Sequence, residues 1–266
     1  LTIAGIILIV LGIPHGAIDH LTSEPNTTKS GMIVFLIRYL GMIGIYLMLW
    51  VFFPVFSLIF FLLFSSYHFG QSHFFELKSH SLLSRVLFVT RGAFFISVVL
   101  FGDLPMTWSI LDPLLDLRGL SAYSLGIIFG LLFISLLLEG IEFQKIKSST
   151  WIDLVVLAPL LYFSPLLISF IVYFGFWHAF PSMKLEYSFL KKFPQYNSLK
   201  KFTCQLLPFS LISLFGIALM IYFGQSYLTS NELLLLFFIL ISLISFPHVI
   251  YMDRFVRLFK TDPYSA

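Results

Sequence analysis

Long apolar segments alternate with short polar connections along the whole 266-residue chain. A membrane-spanning helix needs about 20 mostly apolar residues. On that scale the pattern predicts spans at residues 1–19, 31–50, 55–75, 82–101, 121–138, 151–178, 204–223 and 233–251. The sequence therefore predicts an all-α, polytopic membrane bundle of about eight helices, each near the length that a bilayer requires, in one transmembrane domain covering residues 1–266.

Two details of this pattern affect the predicted topology. The segment 151–178 contains Pro159 and Pro165, so it is either one broken helix or two segments. The first span has no basic start and no small-residue cleavage site, so it is predicted to be retained. The connection 181–203 is rich in lysine, and the positive-inside rule places it, together with the C-terminus, on the cytoplasmic side of the cell membrane.

Composition narrows the possible chemistry. Hydrophobic residues make up 59% of the chain and charged residues 11%, against about 25% charged residues in soluble domains. The single cysteine, Cys204, excludes an intrachain disulfide and a cysteine-rich metal site. No basic stripe lies beside exposed aromatic residues, so nucleic acid is not a predicted partner. Any metal here must bind nitrogen and oxygen ligands.

Six of the seven histidines lie at or inside the predicted spans. Ionisable residues within a membrane are costly and mark candidate functional sites. Four contexts, "PHGAIDH", "SSYHFGQSHF", "FGFWHAFPSM" and "SFPHVIYMD", place an imidazole on four separate helices. Bundles build buried metal sites from side chains on facing helices. The predicted metal ligands are His15, His68, His178 and His248.

Three of these histidines have a hydrogen-bonding residue four positions later, which lies on the same face of an α-helix. The pairs are His15 with Asp19, His68 with Ser72, and His178 with Ser182. A metal-bound histidine usually donates its second ring N–H to a carboxylate, carbonyl or water. Asp19 is therefore predicted to orient His15, and the two serines are candidates for the same role.

Two further histidines belong to a second tier of candidates. His20 and His73 follow His15 and His68 by five residues, so each points about 140° away from its neighbour on an ideal helix. Gly16 and Gly70 could loosen the turn enough to change that angle. His20 and His73 are accordingly predicted either as alternative ligands or as residues that surround the ligands.

The ligand type leaves several metals open, since neutral imidazoles suit Zn, Cu, Fe and Ni. Four imidazoles leave positions on an octahedral ion for O2, and walls of Phe and Leu suit a lipid-like substrate, which favours iron. Such a substrate is predicted to enter from the bilayer through a narrow tunnel beside the metal. Its predicted lining includes Tyr67, Trp177, Gly16, Gly70 and Ala179.

The four contexts, in this order and over essentially the whole chain, resemble the bacteriorhodopsin-related (Brp/Blh) type of β-carotene 15,15′-dioxygenase. "PHGAIDH" and "YHFGQSH" are the most specific parts. The resemblance implies a membrane enzyme that uses Fe2+ and O2 to cleave the central double bond of β-carotene into two molecules of retinal. It also implies a functional link to a retinal-binding rhodopsin.

Carried onto this sequence, the resemblance implies that His15, His68 and His178 are iron ligands. The family has an H-x-x-x-H pair at the last of these positions, whereas this chain has Ser182 as the second member. His248 is the predicted replacement for the missing ligand. His73 and His20 follow it as candidates.

Three other functions were compared with this one. A membrane di-metal lipid hydroxylase or desaturase would show H-x-x-x-H and H-x-x-H-H boxes, which are missing from this sequence. A rhodopsin needs a lysine in a late helix, and residues 204–223 and 233–251 contain none. A transporter with a histidine proton relay also uses intramembrane histidines and would work without iron.

Overall fold

The computed structural model describes residues 12–75 and 81–261 of the chain, and these residues form helices without any strand. Seven of the described helices are long and apolar enough to cross a membrane. Their outer faces carry large apolar side chains such as Ile37, which is 67% exposed. Such faces suit lipid, because a helix satisfies its own backbone hydrogen bonds. The predicted all-α membrane bundle is confirmed.

The main helices are numbered in chain order. They are α1 (Lys29–Phe52), α2 (Pro54–Ser72), α3 (Leu82–Gly102), α4 (Leu104–Leu111), α5 (Ser124–Phe143), α6 (Ser148–Tyr162), α7 (Leu166–Leu190), α8 (Leu199–Gly224) and α9 (Ser230–Thr261). A 3-10 turn, Arg118–Tyr123, leads into α5. Before α1, residues 13–23 form short helical pieces.

The predicted spans agree with these helices except at two places. Residues 1–11 of the predicted first span lie outside the described part of the chain. The predicted segment 151–178 is two segments, because the chain breaks after α6 and restarts at α7 directly after Pro165. Asp103 stabilises this restart, since its Oδ2 accepts a hydrogen bond from the backbone N–H of Leu166 at 3.1 Å. Seven helices of spanning length are found in the described residues, and most of the predicted first span lies outside them.

The chain divides into two compact units, and its organisation as a single domain stays a prediction. In the unit of residues 58–178, α3 packs closely on α5 and α2. A Cβ atom on Gly70 would lie 1.7 Å from the carbonyl oxygen of Phe88, and one on Gly92 would lie 1.8 Å from that of Ser66. The two glycines therefore allow α2 and α3 to touch through their backbones, as small residues do in membrane helices.

A buried ion pair links α3 to α5 in the same unit. Arg91 is fully buried, and its Nη2 donates to Glu139 Oε2 at 2.5 Å while its Nε donates to Ser135 at 2.7 Å. Glu139 Oε1 also accepts from the Thr150 hydroxyl at 2.8 Å and from the Lys147 amide at 2.9 Å. Because breaking a buried pair leaves an uncompensated charge, these bonds hold α3, α5 and the start of α6 together.

The second unit contains residues 12–57 and 179–261. Its core brings the N-terminal pieces together with the end of α7 and with α8, through Ala17, Ile18, Leu21, Leu190, Tyr196, Phe202 and Leu206. The indole of Trp50 in α1 donates to the Ser242 hydroxyl in α9 at 2.9 Å. The unit therefore fixes the segment that carries His15 against α8 and α9.

Candidate metal centre

The segment that carries His15 is a helix with an irregular middle. Ile13–His15 is α-helical, Gly16–Ile18 is a 3-10 turn, and Asp19–Ser23 is again α-helical. A Cβ atom on Gly16 would lie 3.3 Å from Nδ1 of His248, which is tighter than an ordinary contact. Glycine at this position therefore lets the His248 ring approach the backbone next to His15.

His15 and His248 form a buried pair in the second unit. Their rings are 2% and 5% exposed and meet edge to face with centroids 4.4 Å apart. The two Nε2 atoms are 3.0 Å apart. Two nitrogens in neighbouring positions around one ion at about 2.1 Å would also lie about 3.0 Å apart. The separation therefore suits a hydrogen bond between the rings and equally suits two ligands of one metal ion.

Each ring of this pair has a carboxylate on its outer side. Asp19 Oδ1 and Oδ2 lie 2.9 and 3.1 Å from His248 Nδ1, and the Tyr39 hydroxyl donates to Asp19 Oδ2 at 3.2 Å. Glu186 Oε2 lies 3.6 Å from His15 Nδ1. The sequence predicted that Asp19 would orient His15, whereas the contacts found here join Asp19 to His248, and a role toward His15 stays a prediction. The 3-10 turn between His15 and Asp19 removes the i, i+4 geometry on which that prediction relied.

His68 and His178 form a second buried pair, in the unit of residues 58–178. Their ring centroids are 4.3 Å apart, with the planes at 71°. The ring of Phe69 covers His178 at 4.4 Å. His178 lies in a π-helical stretch of α7, Tyr173–Ala179, and such stretches are frequent at functional sites because they change the direction of a side chain.

His73 is engaged at both ring nitrogens in the same unit. Its Nδ1 lies 2.8 Å from Asp153 Oδ2, and its Nε2 lies 3.1 Å from the hydroxyl of Tyr173. Asp153 Oδ1 accepts the indole N–H of Trp177 at 2.9 Å. Because both nitrogens have partners, neither is available to a metal in this structure. His73 instead ties α2 to the π-helical stretches of α6 and α7.

His20 has an aromatic environment rather than a polar one. It packs against Phe209 and Phe35, with ring centroids 5.0 and 5.9 Å away. Burial lowers the pKa of His20 to about 4, so the ring is neutral at physiological pH. These contacts make His20 part of the packing among the N-terminal segment, α1 and α8, and its role as an alternative ligand stays a prediction.

The two predicted serines are both buried. The Ser72 hydroxyl donates to the carbonyl of Phe69 in its own helix at 2.6 Å. Ser182 is fully buried in the last part of α7. The bond of Ser72 satisfies its own hydroxyl, so its predicted role beside His68 stays a prediction, as does that of Ser182.

The residues predicted to line a tunnel have different surroundings. Tyr67 is half-buried against Phe88, and Ala179 is fully buried directly after His178. Trp177 donates its indole N–H to Asp153 Oδ1 at 2.9 Å, and this bond fixes the position of its ring. Gly70 is a residue of the helix contact with Phe88, and this close backbone approach alone requires a glycine. The tunnel itself stays a prediction.

Each of three buried histidines, His15 in one unit and His68 and His178 in the other, offers a ring nitrogen that could bind a metal ion. Imidazole nitrogens suit such an ion, and Glu186 lies near the outer nitrogen of His15, as carboxylates often do beside metal-bound histidines. Glu186 and Tyr39 were missed by the sequence prediction. Glu186 lies in residues 181–203, which the sequence predicted as a polar connection, whereas the structure continues the helix Leu166–Leu190 through this position, so no intramembrane carboxylate was expected there.

Comparisons with known proteins agree with the chemistry of these residues. A family model described as beta-carotene 15,15'-dioxygenase matches residues 6–255. The chain is 26% identical over 276 residues to a protein named beta-carotene 15,15'-dioxygenase from uncultured marine bacterium 66A03, with 94% of this chain and 92% of that protein covered. No solved structure matches the chain.

Proposed function

Because the chain belongs to the β-carotene 15,15′-dioxygenase family, we propose that it binds one Fe2+ ion and uses O2 to cleave the central double bond of β-carotene. The family and the name of the relative indicate a carotenoid-cleaving dioxygenase. They favour this function over a di-metal hydroxylase or a transporter. The metal, the oxidant and the site residues are our proposal.

The observation that carries the proposal is the pair of buried imidazoles whose Nε2 atoms lie 3.0 Å apart. We propose that these atoms, from His15 and His248, bind the iron together with His68 and His178. Four neutral imidazoles leave coordination positions open on an octahedral ion. His248 then supplies the fourth nitrogen that Ser182 does not provide in this chain.

Bound iron would supply the redox chemistry that lets O2 react with a carbon–carbon double bond. The protein would hold the four imidazoles, keep water out with apolar walls, and position the polyene within about 3–3.5 Å of the reacting centre. In the overall reaction the central double bond breaks and each of its carbons gains one oxygen atom. One O2 molecule therefore supplies both aldehyde oxygens of the two retinal molecules.

The substrate would come from the lipid bilayer. β-Carotene is a hydrocarbon, and exposing it to water costs about 0.8 kcal/mol for every CH2-sized unit, so entry between helices avoids that cost. We propose that the enzyme resides in the cell membrane with a cytoplasmic C-terminus. Its retinal would be available to a retinal-binding rhodopsin.

The proposal is tested by expression in cells that make β-carotene, under isotopically labelled O2. Retinal with one labelled oxygen per molecule is expected, together with about one iron per purified chain. His68→Ala should lower retinal formation by more than about 100-fold, which exceeds the usual effect of a residue that only orients a ligand. Cys204→Ser, at an exposed position in α8, serves as the control and should be fully active. Retinal formation by the His68 variant at the wild-type rate would refute the site.

A further inference from the structure

We propose that Glu186 is a positioning residue for His15, accepting the Nδ1–H so that Nε2 presents its lone pair to the metal. This inference rests on the proposed function, in which His15 is a metal ligand. It assigns a role to a carboxylate that the sequence prediction passed over.

The buried carboxylate of Glu186 needs a hydrogen-bond donor. The residue is fully buried near the end of α7, within a helix long and apolar enough to cross a membrane. Within the described residues, neither of its carboxylate oxygens accepts a hydrogen bond. A buried carboxylate without compensation is very costly. The nearest group of opposite character is Nδ1 of His15, at 3.6 Å.

The neighbouring pair shows the arrangement that Glu186 would complete. Asp19 lies within hydrogen-bond distance of His248 Nδ1, on the side of the ring opposite to Nε2. Glu186 lies beside Nδ1 of His15 in the same way, at 3.6 Å instead of 2.9 Å. Moving its Oε2 by less than about 1 Å would give the 2.7–2.9 Å distance of a charged N–H···O bond. The two carboxylates would then fix both rings with their Nε2 atoms facing each other.

Charge points to the same role. Asp19 and Glu186 together would carry two negative charges, and neutral imidazoles carry none, so a divalent cation held by the two rings would bring the group to neutrality. A local excess of charge is expensive in a medium of low dielectric constant. Both carboxylates therefore favour binding of a divalent ion, and Glu186 is expected to contribute to affinity as well as to orientation.

The experiment measures Co2+ binding to the metal-free, detergent-purified protein, using the visible absorption of the bound ion. Glu186→Gln should weaken binding about 10–100-fold, the usual effect of removing such a carboxylate. An amide can donate to Nδ1, which would leave the proton on Nε2, where the metal must bind. Glu186→Asp keeps the charge but shortens the side chain by one CH2, so its affinity should lie between those of the wild type and Glu186→Gln. Glu142→Gln, which changes a carboxylate bonded to Ser84, is the matched control and should bind Co2+ as the wild type does.

The two proposals fail in different ways. If His15→Ala binds Co2+ as tightly as the wild type, the metal site of the proposed function is wrong. If His15→Ala loses binding and Glu186→Gln does not, only the role of Glu186 is refuted. Adding Glu186→Gln to His15→Ala should cause no further loss, because a positioning residue acts through its partner. A large further loss in the double variant would show that Glu186 acts independently of His15.

Discussion

The contact between Asp19 and His248 allows a quantitative prediction for Asp19→Asn. Asn has nearly the same shape and keeps one carbonyl oxygen that can accept the Nδ1–H of His248, so the change removes mainly the charge. Hydrogen bonds to charged groups contribute about 1.5–3 kcal/mol, and 1.4 kcal/mol corresponds to a tenfold change in an equilibrium constant. We therefore expect metal affinity to fall about 10–100-fold, in line with other carboxylates that orient metal-bound histidines.

The assay is metal binding by the purified protein, with retinal formation measured in parallel. Tyr39→Phe is the graded control, because it removes only the hydroxyl that donates to Asp19 at 3.2 Å. This change leaves the charge of Asp19 in place and removes only a long hydrogen bond of 3.2 Å, so it should weaken metal binding less than Asp19→Asn does. Wild-type affinity in the Asp19 variant, or a larger loss in the Tyr39 variant, would refute the assignment of Asp19 to His248.

Two further predictions concern glycines at close contacts. Gly16→Ala should fold but bind metal several-fold more weakly, because its Cβ would press on Nδ1 of His248 from 3.3 Å; unchanged metal affinity would contradict this. Gly70→Ala should lower the yield of folded protein and its melting temperature, because its Cβ would overlap the Phe88 carbonyl at 1.7 Å. Gly41→Ala, with nothing within 4 Å of its Cβ, should have no such effect, and equal stability of the two variants would argue against the helix contact.

The sequence predicted most spans within a few residues, because apolar length is what a bilayer selects. It left the segment 151–178 open, since a proline can bend a helix or end it. The contacts of α6 and α7 determine that this segment is divided into two helices. One of these contacts is the hydrogen bond from the Leu166 N–H to Asp103. Such a contact joins residues far apart in the chain, so a local sequence pattern does not predict it.

The residue types of the site were predictable, but their pairing was not. Helical spacing assigned Asp19 to His15, whereas a 3-10 turn directs Asp19 to His248. Spacing kept His73 either as an alternative ligand or as a residue around the ligands, and it did not foresee that Asp153 and Tyr173 engage both of its nitrogens. Spacing rules assume a regular helix, and they fail first where the helix is irregular.

Those irregularities occur beside three of the four proposed ligands. His15 is followed by a 3-10 turn, His178 lies in a π-helical stretch, and His248 directly follows Pro247 inside α9. Departures from regular helix leave backbone groups unsatisfied, and a membrane tolerates them only where protein surrounds them. Pro and Gly at these points thus fit a site in which the direction of each imidazole ring is more important for metal binding than a regular helix is. A redesign that replaced Pro247 or Gly16 by a better helix former should gain helical stability and lose metal affinity together.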